Sequence, residues 1–211
     1  MNIVLCILFG YLVGGINASY LIAKMKGFDI RTRGSGNAGA SNAVIVMGKK
    51  IGIISALFDI FKAFFAYRFA IWLFPALSLA GPIAGTACII GHIFPVFMRF
   101  RGGKGLACLG GVILAYDFRV FLALLVAELL LTLLLDYICV VPITASAVFP
   151  FIYGALSHDV RGALVFGIAG VVMLLKHIEN LVRIHEGKEV HLSFLWNRDE
   201  EIDRISHTPK G

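Results

Sequence analysis

The 211 residues carry 19 Lys and Arg against 13 Asp and Glu, and 59% of them are hydrophobic. So apolar a chain excludes an ordinary soluble domain and points to an integral membrane protein. The apolar residues run continuously and do not alternate, which excludes a transmembrane β-barrel and leaves a helical bundle.

The first predicted span covers residues 2–23, where no Lys, Arg, Asp or Glu occurs. A secretory leader would open with basic residues. Here the first one, Lys24, follows the apolar run, so a first transmembrane helix with its N-terminus outside is expected. Further apolar runs lie at about 51–74, 79–98, 105–117, 119–135, 138–156 and 162–178. Seven helices are therefore expected, the one at 105–117 short enough to be a half-helix behind a re-entrant loop.

Seven crossings place Lys24, Lys26, Arg31, Arg33, Lys49 and Lys50 on one face together with Arg99, Arg101 and Lys104, and then with Lys176 and the basic residues that follow it. The other face receives only Arg119 and Arg161, an asymmetry that makes the first face cytoplasmic. Basic residues spread along a membrane face, without interleaved aromatics, do not form a nucleic-acid groove. The expected organisation is one transmembrane domain over 1–195 and a polar cytoplasmic tail over 196–211.

Cys6, Cys88, Cys108 and Cys139 sit in or beside apolar runs without Cys-x-x-Cys spacing, and read as small packing residues. "GYLVG" at Gly10–Gly14 and "GPIAG" at Gly81–Gly85 carry the small-xxx-small spacing of close helix contacts. Asp59 and Lys62, at i and i+3, would each cost about 2.5–3.5 kcal/mol at the bilayer centre if alone, so an inward-facing pair is expected. It serves either to lock helices or in the site itself.

Three polar segments fall on the cytoplasmic side. "RTRGSGNAGASN", Arg31–Asn42, alternates glycines with Ser35, Asn37, Ser41 and Asn42, and suits either a flexible loop or a phosphate cradle of backbone N–H groups. It lacks the Walker A order. "RFRGGKG", Arg99–Gly105, follows His92 and Pro95. Its cations alone would suit a headgroup anchor, but the three glycines need a tight turn or a close ligand approach, which favours a site. "KHIENLVRIHEGKE", Lys176–Glu189, places His177, Asn180 and Arg183 on one helical face, either as an ordinary charged helix end or as a group that moves a proton and fixes an oxygen. No histidine pattern points to a metal.

Taken together, "GSGNAGASN" at Gly34–Asn42, "GHIFPVFMRFRGGKG" at Gly91–Gly105, and His177, Asn180, Arg183, Gly187 and Glu189 resemble the three motifs of the PlsY family, the bacterial acyl-phosphate:glycerol-3-phosphate acyltransferases. The resemblance implies transfer of a fatty acyl group from acyl phosphate to the 1-hydroxyl of sn-glycerol 3-phosphate, giving lysophosphatidic acid and phosphate at the cytoplasmic side of the bacterial plasma membrane. It implies His177, Asn180, Lys104 and Ser35 as catalytic groups. Gly34, Gly36, Asn37, Ser41, Asn42, Arg33, His92, Gly102, Gly103 and Gly105 are the expected substrate contacts, and Glu189 a mainly structural residue. The partners expected are acyl phosphate, glycerol 3-phosphate and membrane lipid, with no metal, cofactor, nucleic acid or obligate protein partner.

The chain departs from the family pattern at Ile45, where Arg is usual, and in "DYICVVP", where Asp136, Cys139 and Pro142 replace a cation and two hydroxyls. Thr is usual at Cys108, and Asn17 replaces a proline. These departures motivate an alternative, a paralogue that binds a phosphorylated lipid or polyol without acyl transfer. A transporter is disfavoured because no inverted repeat is visible.

Overall fold

The uncharged N-terminal run forms two helices. The computed structural model describes residues 1–197, in which α1 (Asn2–Gly15) and α2 (Ala18–Met25) meet at a 40° bend. Asn17 causes the break: in extended conformation it caps α2, its side-chain oxygen accepting from the Tyr20 N–H at 2.9 Å. A carboxamide that captures a backbone N–H competes with the helix ladder, which hydropathy does not register.

A further short helix, α3 (Ala40–Met47), lies inside the first polar segment. The other apolar runs follow as α4 (Lys49–Leu73), α5 (Ala80–Ile93), α6 (Leu106–Tyr116), α7 (Phe118–Leu135), α8 (Val140–Ser157) and α9 (Val160–His185). No β-strand occurs among the described residues, and the fold is all-helical. Four stretches are long and apolar enough to cross a bilayer, Ala80–Met98, Phe118–Leu135, Val140–Ser157 and Val160–His185, and the bent α1–α2 pair makes a fifth. At 1.5 Å per residue, the 11 residues of α6 rise only about 16 Å, too little to span alone. Beyond Asn197 the expected polar tail lies outside the described residues.

α5 is the hub. Of its apolar span 78% is buried, against 11% for α7, whose leucines face outward as a lipid-exposed helix requires. Gly10 and Gly14 of α1 lie flat on the α5 backbone at Ala84 and Cys88, where any Cβ would overlap a carbonyl. Without water to drive association, such close backbone approach is how helices hold together in lipid. Tyr67, Phe149, Tyr153 and Phe166 fill the core between α4, α8 and α9. On α7, Glu128 is buried and accepts from the Thr144 hydroxyl at 2.6 Å, a polar tie to α8.

Asp117 and Asp159 cap α7 and α9 by accepting from the N–H groups of Arg119 and Arg161, the two basic residues assigned to the outer face. At the other face the three polar segments come together.

Candidate active site

In the first segment, Asp29 starts the short 3-10 turn Ile30–Thr32 by accepting from the Arg31 N–H at 3.0 Å. The Arg31 side chain also pairs with Asp29, at 2.7 Å from Nη2, and this bond holds the Asp29 carboxyl down at about 2. The Nη1 of Arg31 donates to the Met98 carbonyl at 2.6 Å, joining the first segment to the second. Arg33 is exposed and stacks over the Phe28 ring at 4.2 Å.

Asn42 is 1% exposed and is the clamp of the loop: its amide faces the carbonyls of Ile30, Arg33 and Asn37, and its oxygen accepts from the Ser35 N–H at 2.9 Å. Gly34 and Gly36, at φ +58° and +71°, make the left-handed turns that let the backbone wrap this one side chain. Its carboxamide is therefore committed to the loop, whereas the Ser35, Asn37 and Ser41 side chains make no hydrogen bond to another described residue.

In the second segment, Gly102 and Gly103, expected as substrate contacts, have their backbone donors already engaged. Their N–H groups donate to the Ile93 and His92 carbonyls at 3.0 and 3.1 Å, closing the C-terminal end of α5. The glycines are needed for approach instead, because a Cβ on Gly102 would overlap the His92 carbonyl and one on Gly103 would overlap His92 Nε2. Gly105, at φ +95°, turns the chain into α6. Lys104, between them, donates from Nζ to the Asn180 side-chain oxygen. Burial lowers its pKa, and the nearby Arg183 charge lowers it further.

The third segment completes α9 and turns back. Asn180 and His177 are buried, at 7% and 3% exposure, on the inward face. Asn180 Nδ2 donates to Glu189 Oε1 and Arg183 Nε to Glu189 Oε2, both at 2.7 Å. A single carboxylate thus orients the amide that holds Lys104. His177 Nδ1 donates to the Met173 carbonyl at 2.8 Å, which leaves Nε2 as the acceptor.

The strand-like return is pinned beyond the motif. Tyr137 and His191 form an isolated antiparallel bridge, and the Leu192 N–H donates to the Asp136 carbonyl at 2.8 Å. Cys139 thereby lies beside Glu189, and burial, with the carboxylate next, pushes its thiol up to about 12, so it remains a neutral donor. Pro142 is buried in the first turn of α8, where a missing N–H is tolerated. Ile45 is 46% exposed on α3.

His92 is buried rather than lining an open loop. Its Nδ1 lies 3.0 Å from Lys62 Nζ, which is also 2.7 Å from Asp59. Asp59, His92 and Cys108 could converge on a metal, but the Lys62 ammonium sits among them and would have to be displaced. Spacing alone marked Asp59–Lys62 as a pair, but nothing in it marked His92 as the third member. Glu128 was detectable as a lone acid in a leucine run. Arg31 as the link between segments had no such signal.

The family model for glycerol-3-phosphate acyltransferases matches residues 4–187. The chain belongs to this family. The glycerol-3-phosphate acyltransferase of Aquifex aeolicus is 34% identical over 190 residues, covering 90% of this chain and 98% of the relative. Glycerol-3-phosphate acyltransferase 2 of Thermotoga maritima is 36% identical over 186 residues, covering 86% and 92%. Two crystal structures of PlsY, an integral membrane glycerol 3-phosphate acyltransferase, share the fold. The glycerol 3-phosphate form superposes with a TM-score of 0.84 at 32% identity, covering 92% of this chain and 98% of that one. The lysophosphatidic acid form gives 0.82 at 31%, covering 92% and 97%. This glycerol-3-phosphate acyltransferase chain is thus a multi-pass membrane protein of the same architecture.

Proposed function

We propose that the protein transfers a fatty acyl group from acyl phosphate to the 1-hydroxyl of sn-glycerol 3-phosphate, releasing lysophosphatidic acid and phosphate. The observation that carries this reading is the Lys104–Asn180–Glu189 relay, which fixes an ammonium of the glycine-rich segment against the buried face of α9. One of its three N–H groups is held by Asn180, and the others serve substrate phosphate oxygens.

Acyl phosphate is a mixed anhydride, so the protein needs to orient the hydroxyl and to stabilise charge on the carbonyl oxygen and the departing phosphate. The acceptor oxygen bonds to the carbonyl carbon, the carbon–oxygen bond to phosphate breaks, and the hydroxyl proton passes to His177 Nε2 and on to the leaving phosphate. Met173 supports that role by holding the other ring nitrogen as the donor. Ser35, Asn37 and Ser41, with Gly34, Gly36 and Arg33, complete the phosphate-binding loop, while Gly105 and His92 support Lys104 from below. In this reading seven crossings set the N-terminus outside and the site at the cytoplasmic face of a bacterial plasma membrane.

A second reading, phosphorylated-lipid or polyol binding without turnover, draws on Ile45 and Pro142, neither of which can pair with phosphate. The test is purified protein with acyl phosphate and radiolabelled glycerol 3-phosphate, beside acyl-CoA as donor. Labelled lysophosphatidate is expected only with acyl phosphate. Its absence under conditions where the Aquifex aeolicus relative turns over would overturn the acyltransferase reading and leave the binding one.

A further inference from the structure

Lys62 lies in the middle of α4 and is 6% exposed, yet its ammonium meets three groups: it donates to the Ile16 carbonyl at 2.7 Å, pairs with the charge of Asp59 at 2.7 Å from Oδ1, and lies 3.0 Å from His92 Nδ1. His92 Nδ1 also lies 3.4 Å from Asp59 Oδ1, so this edge of the ring belongs to the same buried cluster, and the other edge carries Nε2. That is the atom against which Gly103 packs.

The Ile16 carbonyl belongs to the break between α1 and α2. The next residue, Asn17, is buried and donates from Nδ2 to the Ala38 carbonyl at 2.9 Å, within the first polar segment. Two routes therefore leave Lys62. One runs through Ile16 and Asn17 to the loop of Gly34–Asn42, the other through His92 to Gly103 and Lys104. Neither polar segment forms a hydrogen bond to Lys62 itself among the described residues. Both rest on groups that it holds.

We infer that Lys62 is a positioning residue: from inside the membrane it registers both substrate-binding loops, through the Ile16–Asn17 break and through the placement of His92. Asp59 balances its charge, so the ammonium stays in place without water. This rests on the acyltransferase reading for its kinetic consequence, but its structural content stands apart from that reading. A helix lock, by contrast, would need only the Asp59–Lys62 pair on one helix with some partner, and would not connect both loops.

The experiment uses the full chain in lipid nanodiscs and compares wild type with Lys62→Met combined with Asp59→Asn, which removes both charges together. Hydrogen exchange is read at the amides of Ser35 and Gly36 in one loop and Gly102 and Gly103 in the other, all hydrogen-bonded in the native structure. Faster exchange is expected in both loops with α7, α8 and α9 unchanged. With acyl phosphate and glycerol 3-phosphate, kcat is expected to fall by ~10- to 100-fold and KM for glycerol 3-phosphate to rise, since small misplacements of binding groups cost that much. A folded double variant with wild-type exchange at all four amides, or with only its unfolding temperature lowered, would overturn the inference.

Should the double variant fail to fold, His92→Asn decides. Asn leaves Lys62 an acceptor near the Nδ1 position but does not reach Gly103. Faster exchange at Gly102 and Gly103 with Ser35 and Gly36 unchanged is expected, and any other pattern overturns the two-route arrangement. A wild-type protein without transferase activity would refute the proposed function, and the exchange pattern would still decide this inference.

Discussion

Two lysines of this protein are partly or wholly withdrawn from water, and they are used in opposite ways. Lys62, inside the bundle, is enclosed by the Ile16 carbonyl, Asp59 and His92. Lys104, in the glycine-rich segment, has the Asn180 oxygen as its one hydrogen-bond partner among the described residues, and Glu189 and Arg183 brace that contact from behind. A buried ammonium already surrounded by a carbonyl, a carboxylate and an imidazole is architecture, because an incoming anion would have to break a contact already made. One that is fixed by a single neutral oxygen keeps its direction and retains donors for a ligand. The same side chain thus serves as a joint or as a binding group according to how many acceptors surround it.

Replacing Lys104 with Ala tests that contrast most severely. The expected loss in kcat/KM is ~10²- to 10³-fold, the scale seen when a preorganised charge-stabilising donor is removed. Retention of wild-type turnover in a folded Lys104→Ala protein would erase the distinction between the two lysines. The brace is next. In Glu189→Gln, Asn180 and Arg183 lose their shared carboxylate, and kcat/KM should fall about tenfold, the equivalent of about 1.4 kcal/mol in an interaction with a charged group.

The pH dependence sharpens the comparison further. Burial and the Arg183 charge depress the Lys104 pKa, so the ammonium is fully present at lower pH and is lost as pH rises through a value below that of an ordinary lysine. The alkaline limb of the free-enzyme kcat/KM profile should accordingly begin lower than an unperturbed lysine would set it, and Lys104→Ala should abolish that limb. The smallest effect is expected of Cys139→Ser. A hydroxyl donates to Glu189 as the neutral thiol does, and KM for glycerol 3-phosphate should change by less than about twofold, worth roughly 0.4 kcal/mol.

Some of this was legible before any coordinates. Long apolar runs can be satisfied only as helices in a membrane, and the fold is all-helical with four or five stretches able to span. The motif residues from Gly34 to Glu189 carried the resemblance to the acyltransferase family, and the family membership stands on independent likeness over residues 4–187. What hydropathy could not report were the local competitions won by side chains: Asn17 breaking the first run, and Asn42 gathering a loop that folds on into α3. The glycines of the second segment were recognised as requiring close approach, but a sequence does not say to what. They approach α5 and His92, and their N–H groups are used there.

By itself, then, the sequence determined that this is a helical membrane protein and which chemical groups the family motifs bring. Those properties depend on residue type and on spacing along one chain. Only the tertiary structure decided which of these groups remain available. Asn42, Gly102 and Gly103 are committed to the scaffold, Lys104 is braced through Asn180 and Glu189, and the intramembrane Lys62 reaches His92 thirty residues away. A donor is taken or free according to the acceptors that packing brings to it, and those acceptors come from helices distant in sequence.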